Sequence, residues 1–158
     1  MLKLVSILLF LIFSSNVAIS QNNNFGSLAT DRTEPIEFNS ERLVLNQEKN
    51  LAELFEGVKI TQGKTILSAD YVKAVYSEES RLETVYAEGN IELTSDQDIA
   101  RADEAIYSLT NNSISLTGNA KLIQGENNIK ADQILINIET GLTQLLGSVT
   151  TVLSPSSN

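Results

Sequence analysis

Gly89, Gly118 and Gly147 recur at intervals of 29 residues. Each sits inside an alternating apolar–polar run, where a glycine weakens a strand unless the chain must bend or bulge there. An Ala-Asp pair keeps step with them at Ala69-Asp70, Ala102-Asp103 and Ala131-Asp132, and Ser40-Glu41 with Glu56-Gly57 holds the same places in a degenerate first copy. A fixed period of this length means one supersecondary unit used about four times. The unit reads as a strand, a turn, a second strand carrying the bend, and another turn.

The turns are marked by polar clusters at 46–50, 62–65, 77–80, 94–98, 110–113, 124–128 and 139–141. Gly, Asn, Asp and Ser suit such places because they accept positive φ or bond their own backbone. Pro35 and Pro155 bracket the whole stretch, and none lies between them to interrupt a strand. Aligned on the anchors, apolar residues fall into columns. They are Leu43, Val72, Ala105 and Ile134; Leu45, Ala74, Tyr107 and Ile136; Leu54, Ala87, Leu116 and Leu145; Val58, Ile91, Ala120 and Val149; and Ile60, Leu93, Leu122 and Thr151. Residues two apart share a sheet face, so the columns predict one inner surface, tapered where Ala stands among larger residues. Lys73 and Lys121 have the opposite parity. The expected fold is all-β: eight long antiparallel strands, each bent once, forming a V-shaped jelly roll open at both ends.

Ahead of the repeats, Lys3 precedes an apolar run over 4–13 broken only by Ser6, and Ala18-Ile19-Ser20 follows. That is the layout of a cleaved signal peptide over 1–20, too short to span a bilayer. Residues 21–33 read as a flexible lead-in, 34–155 as the β domain and 156–158 as a tail.

Export makes the missing residue types informative. The chain has no Cys and no His, so it holds neither a disulfide nor a His-dependent zinc or nucleophile site. A net charge of −9 repels nucleic acid. No catalytic residue, cofactor or metal site is expected. Asp70, Asp103 and Asp132 stack as a ladder that could hold a cation, although capping the turns is the reading favoured here.

Leu116-Thr117-Gly118-Asn119-Ala120 followed by Asn128-Ile129-Lys130-Ala131-Asp132 resembles the repeat core of the LptA/OstA family of lipopolysaccharide-transport proteins. So do Thr61-Gln62-Gly63, Ser68-Ala69-Asp70, the opening Pro35-Ile36-Glu37-Phe38 and the ending Val149-Thr150-Thr151-Val152-Leu153-Ser154-Pro155. The resemblance implies a bent β jelly roll, in the periplasm, that binds the lipid A acyl chains of lipopolysaccharide. It also implies copies joined head to tail between an LptC-like inner-membrane protein and an LptD-like outer-membrane protein. By this analogy Ile36 and Phe38 lie near the groove entrance and Leu93, Tyr107 and Leu109 deeper. Leu45, Ala74, Leu116, Leu122 and Ile136 complete the expected groove from the columns. The expected assembly edges are Ile36 and Phe38 at one end and Val149, Thr151, Val152 and Leu153 at the other. One departure is Glu56-Gly57-Val58, where the family usually has Gly-Asn-Val, so the first bend could differ. Rival readings are a membrane-anchored LptC-like component, a structural β-solenoid module with a dry core, and a polysaccharide hydrolase that uses the acids.

Overall fold

The computed structural model describes residues 24–152. The expected signal peptide, Leu153, Pro155 and the tail lie outside the described residues. Six long strands form the body: β3 (Leu51–Gln62), β4 (Thr65–Tyr76), β5 (Leu82–Ser95), β6 (Asp98–Ser108), β7 (Ser113–Gln124) and β8 (Asn127–Asn137). At the first end β1 (Ile36–Asn39) and β2 (Arg42–Asn46) both pair with β3. At the last end β9 (Thr143–Leu146) and β10 (Thr150–Val152) both pair with β8. All pairs are antiparallel, and with β1 and β2 counted as one strand interrupted at its bend, and β9 and β10 as another, eight bent strands follow one another in chain order.

The bends fall where the repeat placed them. Register shifts occur at Phe55/Val58, Glu88/Ile91 and Thr117/Ala120, each spanning two residues with positive φ: Glu56 and Gly57, Gly89 and Asn90, Gly118 and Asn119. The first bend therefore has the same form as the others despite its altered sequence. Asp70 and Asp103 explain why glycine recurs at the later ones. Asn119 Nδ2 donates to Asp103 Oδ2 at 2.7 Å, and a Cβ on Gly118 would lie 2.7 Å from the same oxygen, inside van der Waals contact. Asn90 donates to Asp70 in the same way, and the Ser148 N–H donates to Asp132. The acidic ladder thus holds bends. No such carboxyl covers Gly57, which has open space around it.

Each bend divides its strand into halves, and the halves form two layers. In the layer that includes β2 and β9, the columns merge into cross-strand rows. One runs Leu43, Leu54, Val72, Ala87, Ala105, Leu116, Ile134, Leu145; the next runs Leu45, Ala52, Ala74, Val85, Tyr107, Ile114, Ile136, Thr143. In the layer that includes β1 and β10, the matching row is Phe38, Ile60, Leu67, Leu93, Ala100, Leu122, Ile129, Thr151. The two inner faces close on one hydrophobic core. Small side chains such as Ala69, Ala87, Ala102, Ala105, Ala120 and Ala131 flank the bends, where the layers converge.

One expectation is corrected at the N-terminal side. Residues 24–33 form a folded strap rather than a flexible lead-in. It includes α1 (Leu28–Asp31), and Phe25 and Leu28 are fully buried. Two apolar residues three apart, anchored from both ends, give this segment enough buried surface to offset the entropy of ordering it. No helix among the described residues is long and apolar enough to cross a membrane.

Candidate functional site

The inner faces of the two layers make an apolar trough that is packed shut along most of its length. Among the described residues Asp31 is the one buried side chain with a formal charge. A narrow cleft of about 430 Å³, counting its open mouth, lies between Ile36, Ile60, Leu67 and Leu93 of one layer and Ala105, Tyr107 and Ile114 of the other; Leu28 of the strap closes it from above. A wider cleft of about 650 Å³ opens at the first end between Phe38, Leu43, Leu45, Ala52, Leu54 and Tyr76.

The expected groove residues divide between these places. Ile36, Leu93 and Tyr107 share the narrow cleft, and Phe38 and Leu45 share the wide one. Ala74, Leu116, Leu122 and Ile136 are fully buried in the closed wall between the layers. Leu45 has the inward parity expected of it, since it pairs with buried Ala52, but it is exposed because no further strand covers β2. Leu109 is half-buried and opens the turn between β6 and β7, one residue past the end of β6 at Ser108, where its N–H donates to the Glu83 carbonyl.

At the expected edges, Ile36 and Phe38 lie on β1 and are half-buried. Thr151 and Val152 lie on β10 and are exposed, as is Val149 just before it. Leu153 lies outside the described residues. Among the described residues both ends of the sheet carry unpaired strand edges, since β1 and β10 terminate the strand order.

Sequence reasoning missed the rim of the trough. On the six long strands of the β1 layer the last inward position is polar: Gln62, Thr65, Ser95, Asp98, Gln124 and Asn127 continue the row that begins with Ile36 on β1. Gln62, Thr65, Ser95 and Asp98 receive the strap. The Gly26 N–H donates to Asp98 Oδ2 at 2.9 Å, and the Ser27 N–H donates to Ser95 Oγ at 3.0 Å. Asp31 Oδ2 accepts from the Lys64 N–H at 3.0 Å and from Thr65 Oγ1 at 2.8 Å. On the opposite layer the Phe25 N–H donates to the Gly141 carbonyl at 2.9 Å, so the strap crosses the mouth. Tyr107 makes a second link between the layers, its hydroxyl donating to Gln62 Oε1 at 3.1 Å, while Gln62 Nε2 donates to the carbonyls of Arg32 and Glu34. Burial raises the Tyr107 pKa, which keeps the phenol neutral and able to donate. The readable signal was inward parity occupied by polar residues, with Phe25 and Leu28 alone in a polar stretch.

The outer face is different in kind. Tyr71, its pKa pushed up to about 12 by desolvation and then by its hydrogen bond to Glu53, packs against Phe55, and Arg42 lies over the Phe55 ring. These groups satisfy one another and leave no cleft.

Concave apolar surface with a few polar groups at its mouth is the usual lining of a site for an apolar molecule. Residues 37–142 match the family described as LptA/(LptD N-terminal domain) LPS transport protein. The lipopolysaccharide export system protein LptA of Haemophilus influenzae is 29% identical, over 92% of this chain and 91% of that protein. An uncharacterized protein of Rhizobium meliloti is 26% identical, over 85% of this chain and 77% of its own. Among solved structures, LptH of Pseudomonas aeruginosa is the LptA-homologous periplasmic component of a lipopolysaccharide transport device. It matches with a TM-score of 0.71 at 20% identity, over 79% of this chain and 99% of its own, and shares the open antiparallel fold. With the family match running from β1 through to the turn before β9, the chain belongs to the family of LptA and LptD N-terminal-domain lipopolysaccharide-transport proteins.

Proposed function

We propose that this protein is a periplasmic carrier that holds the lipid A acyl chains of lipopolysaccharide in its trough. It passes them through head-to-tail copies between an LptC-like inner-membrane protein and an LptD-like outer-membrane protein. The observation that carries this reading is the pair of continuous apolar rows, running from Leu43 and Leu45 at one end to Leu145 and Thr143 at the other. Burying a methylene contributes about 0.8 kcal/mol, so one twelve-carbon chain contributes roughly 10 kcal/mol before ordering costs. Release of several chains into water is then very slow, whereas transfer into an identical trough exchanges burial for burial. The unequal ends support the same reading. Edge strands β1 and β2 differ from β9 and β10, so joining one end to the other is heterologous and yields an open row of troughs.

A photo-crosslinking residue tests the assignment. Placed at Tyr107 or Phe38 it should capture lipopolysaccharide. Placed at Lys73 or Lys121, whose strand neighbours Val72, Ala74, Ala120 and Leu122 are all buried on the inner face, it should not. Equal capture at the two sets overturns the proposal.

A further inference from the structure

The strap that closes the trough has the same layout as the molecule proposed to enter it. Phe25 and Leu28 supply an apolar plug that joins the core, and Leu28 forms one wall of the cleft beside Ile36, Leu93 and Tyr107. Next to the plug, the polar groups of Gly26, Ser27 and Asp31 engage the rim row of Asp98, Ser95 and Thr65. Ser95 and Thr65 are buried beneath the strap, and their hydroxyls lie 2.9 Å apart. A segment meant only to cover a core would bury apolar side chains against apolar ones. Here the strap meets the β1 layer through hydrogen bonds, which exchange readily with water or with another polar group.

We infer that residues 24–33 are a self-ligand of the trough: they occupy its mouth in the free protein and must be displaced before an acyl chain reaches Tyr107. The inference rests on the lipid-carrier reading above and adds its regulation. Strap and acyl chain compete for one volume, since the cleft with Leu28 in its wall encloses only about 30 Å³, far less than an acyl chain fills. The strap also links the two layers, through Gly141 on one side and Ser95 and Asp98 on the other, so lifting it frees the mouth to widen. Apparent affinity is then the intrinsic affinity reduced by the fraction of molecules with the strap open. When the strap leaves, the rim row is free to meet the polar junction between acyl chains and headgroup.

Ser27 Oγ and Ser95 Oγ lie 3.3 Å apart, and the chain contains no cysteine, so Ser27→Cys with Ser95→Cys can lock the strap without competing thiols. The assay is capture of purified lipopolysaccharide by a photo-crosslinking residue at Tyr107, in oxidised and reduced samples of the pair. The oxidised form should capture at least about tenfold less than the reduced form, and reduction should restore capture to at least the level of the unmodified protein, because the pair also loses the Ser95 hydroxyl that accepts from the Ser27 N–H. Asp31→Ala, which removes the acceptor of Lys64 and Thr65, should raise the capture rate without any disulfide. Equal capture by oxidised and reduced forms, or an unchanged rate for Asp31→Ala, overturns the self-ligand. Absence of capture in the reduced pair and the unpaired protein alike overturns the lipid reading itself, and the strap's role with it.

Discussion

In the middle of the stack Leu93, Leu116 and Leu122 are 1%, 0% and 1% exposed, whereas Leu43 and Leu45, in equivalent inward positions at the first end, are 54% and 67% exposed. The alternation is the same in both regions. What differs is the neighbour: Leu116 has Ala105 on one side and Ile134 on the other, while Leu45 has Ala52 on one side and solvent on the other. Burial in a stack of strands is therefore a property of position within the pile. The last end repeats the lesson: Thr151, on the inner row that holds buried Leu122, is exposed on β10. Exposed leucines on an unpaired edge are a liability for a protein that stays single and suit one that continues its sheet into another copy.

The comparison breaks most sharply with one substitution made twice. Leu116→Asp places a carboxylate in the dry wall and removes a buried leucine, which should cost about 5 kcal/mol or more, enough to unfold a domain of ordinary stability. Leu45→Asp should change stability by no more than about 0.5 kcal/mol, because the side chain is already in water. Chemical denaturation measures both. Light scattering gives the second half: the unmodified protein should form oligomers at high concentration and Leu45→Asp should not. A Leu45→Asp protein that unfolds like Leu116→Asp removes the distinction between middle and end.

The bends sharpen the comparison at smaller scale. Gly118 combines a φ of +75° with the Asp103 carboxyl pressed against it, so Gly118→Ala faces both left-handed backbone and a clash. The expected loss is about 2–3 kcal/mol in a denaturation midpoint. Asp103→Ala made together with Gly118→Ala should recover the part due to the clash and leave the part due to backbone. If the double variant is as unstable as the sum of the single ones, the carboxyl is not what excludes a side chain there.

Most of this architecture could be read from the residues. The 29-residue spacing located the bends, the alternation assigned inner and outer faces, and the polar clusters located every hairpin turn. Two things could not be read in that way, each for a physical reason. Parity says which way Leu45 points but not whether another strand lies beyond it, and it does not say that β6 stops at Ser108, one residue short of Leu109. The strap was hidden because its contacts are remote in sequence: Gly26 meets Asp98 and Ser27 meets Ser95, 72 and 68 residues away. Local propensity in 21–33 is that of a polar tail, and only the rim of Gln62, Thr65, Ser95 and Asp98 makes it a lid. Those inward polar residues were visible in the sequence without the partner that explains them.

The smallest expected effect returns to the first end. Glu56 stands at φ +63° where later repeats have glycine, a conformation that costs an L-residue roughly 1–2 kcal/mol. The first repeat carries Glu41 in place of the aspartate that presses on glycine in the later bends, and the bend accepts a side chain at this place. Glu56→Gly removes the backbone strain but adds unfolded-chain entropy of about 0.5–1 kcal/mol. The net should be a gain of about 0.5–1 kcal/mol, read as a higher denaturation midpoint with an unchanged slope. Glu56→Ala keeps the strain and should give no such gain, which separates backbone relief from loss of a surface charge. The sign opposes that at Gly118, where an added Cβ destabilises, and it follows from one difference between the repeats: whether an aspartate reaches over the bend. A Glu56→Gly protein less stable than its parent would mean that the first bend is held by its glutamate side chain after all.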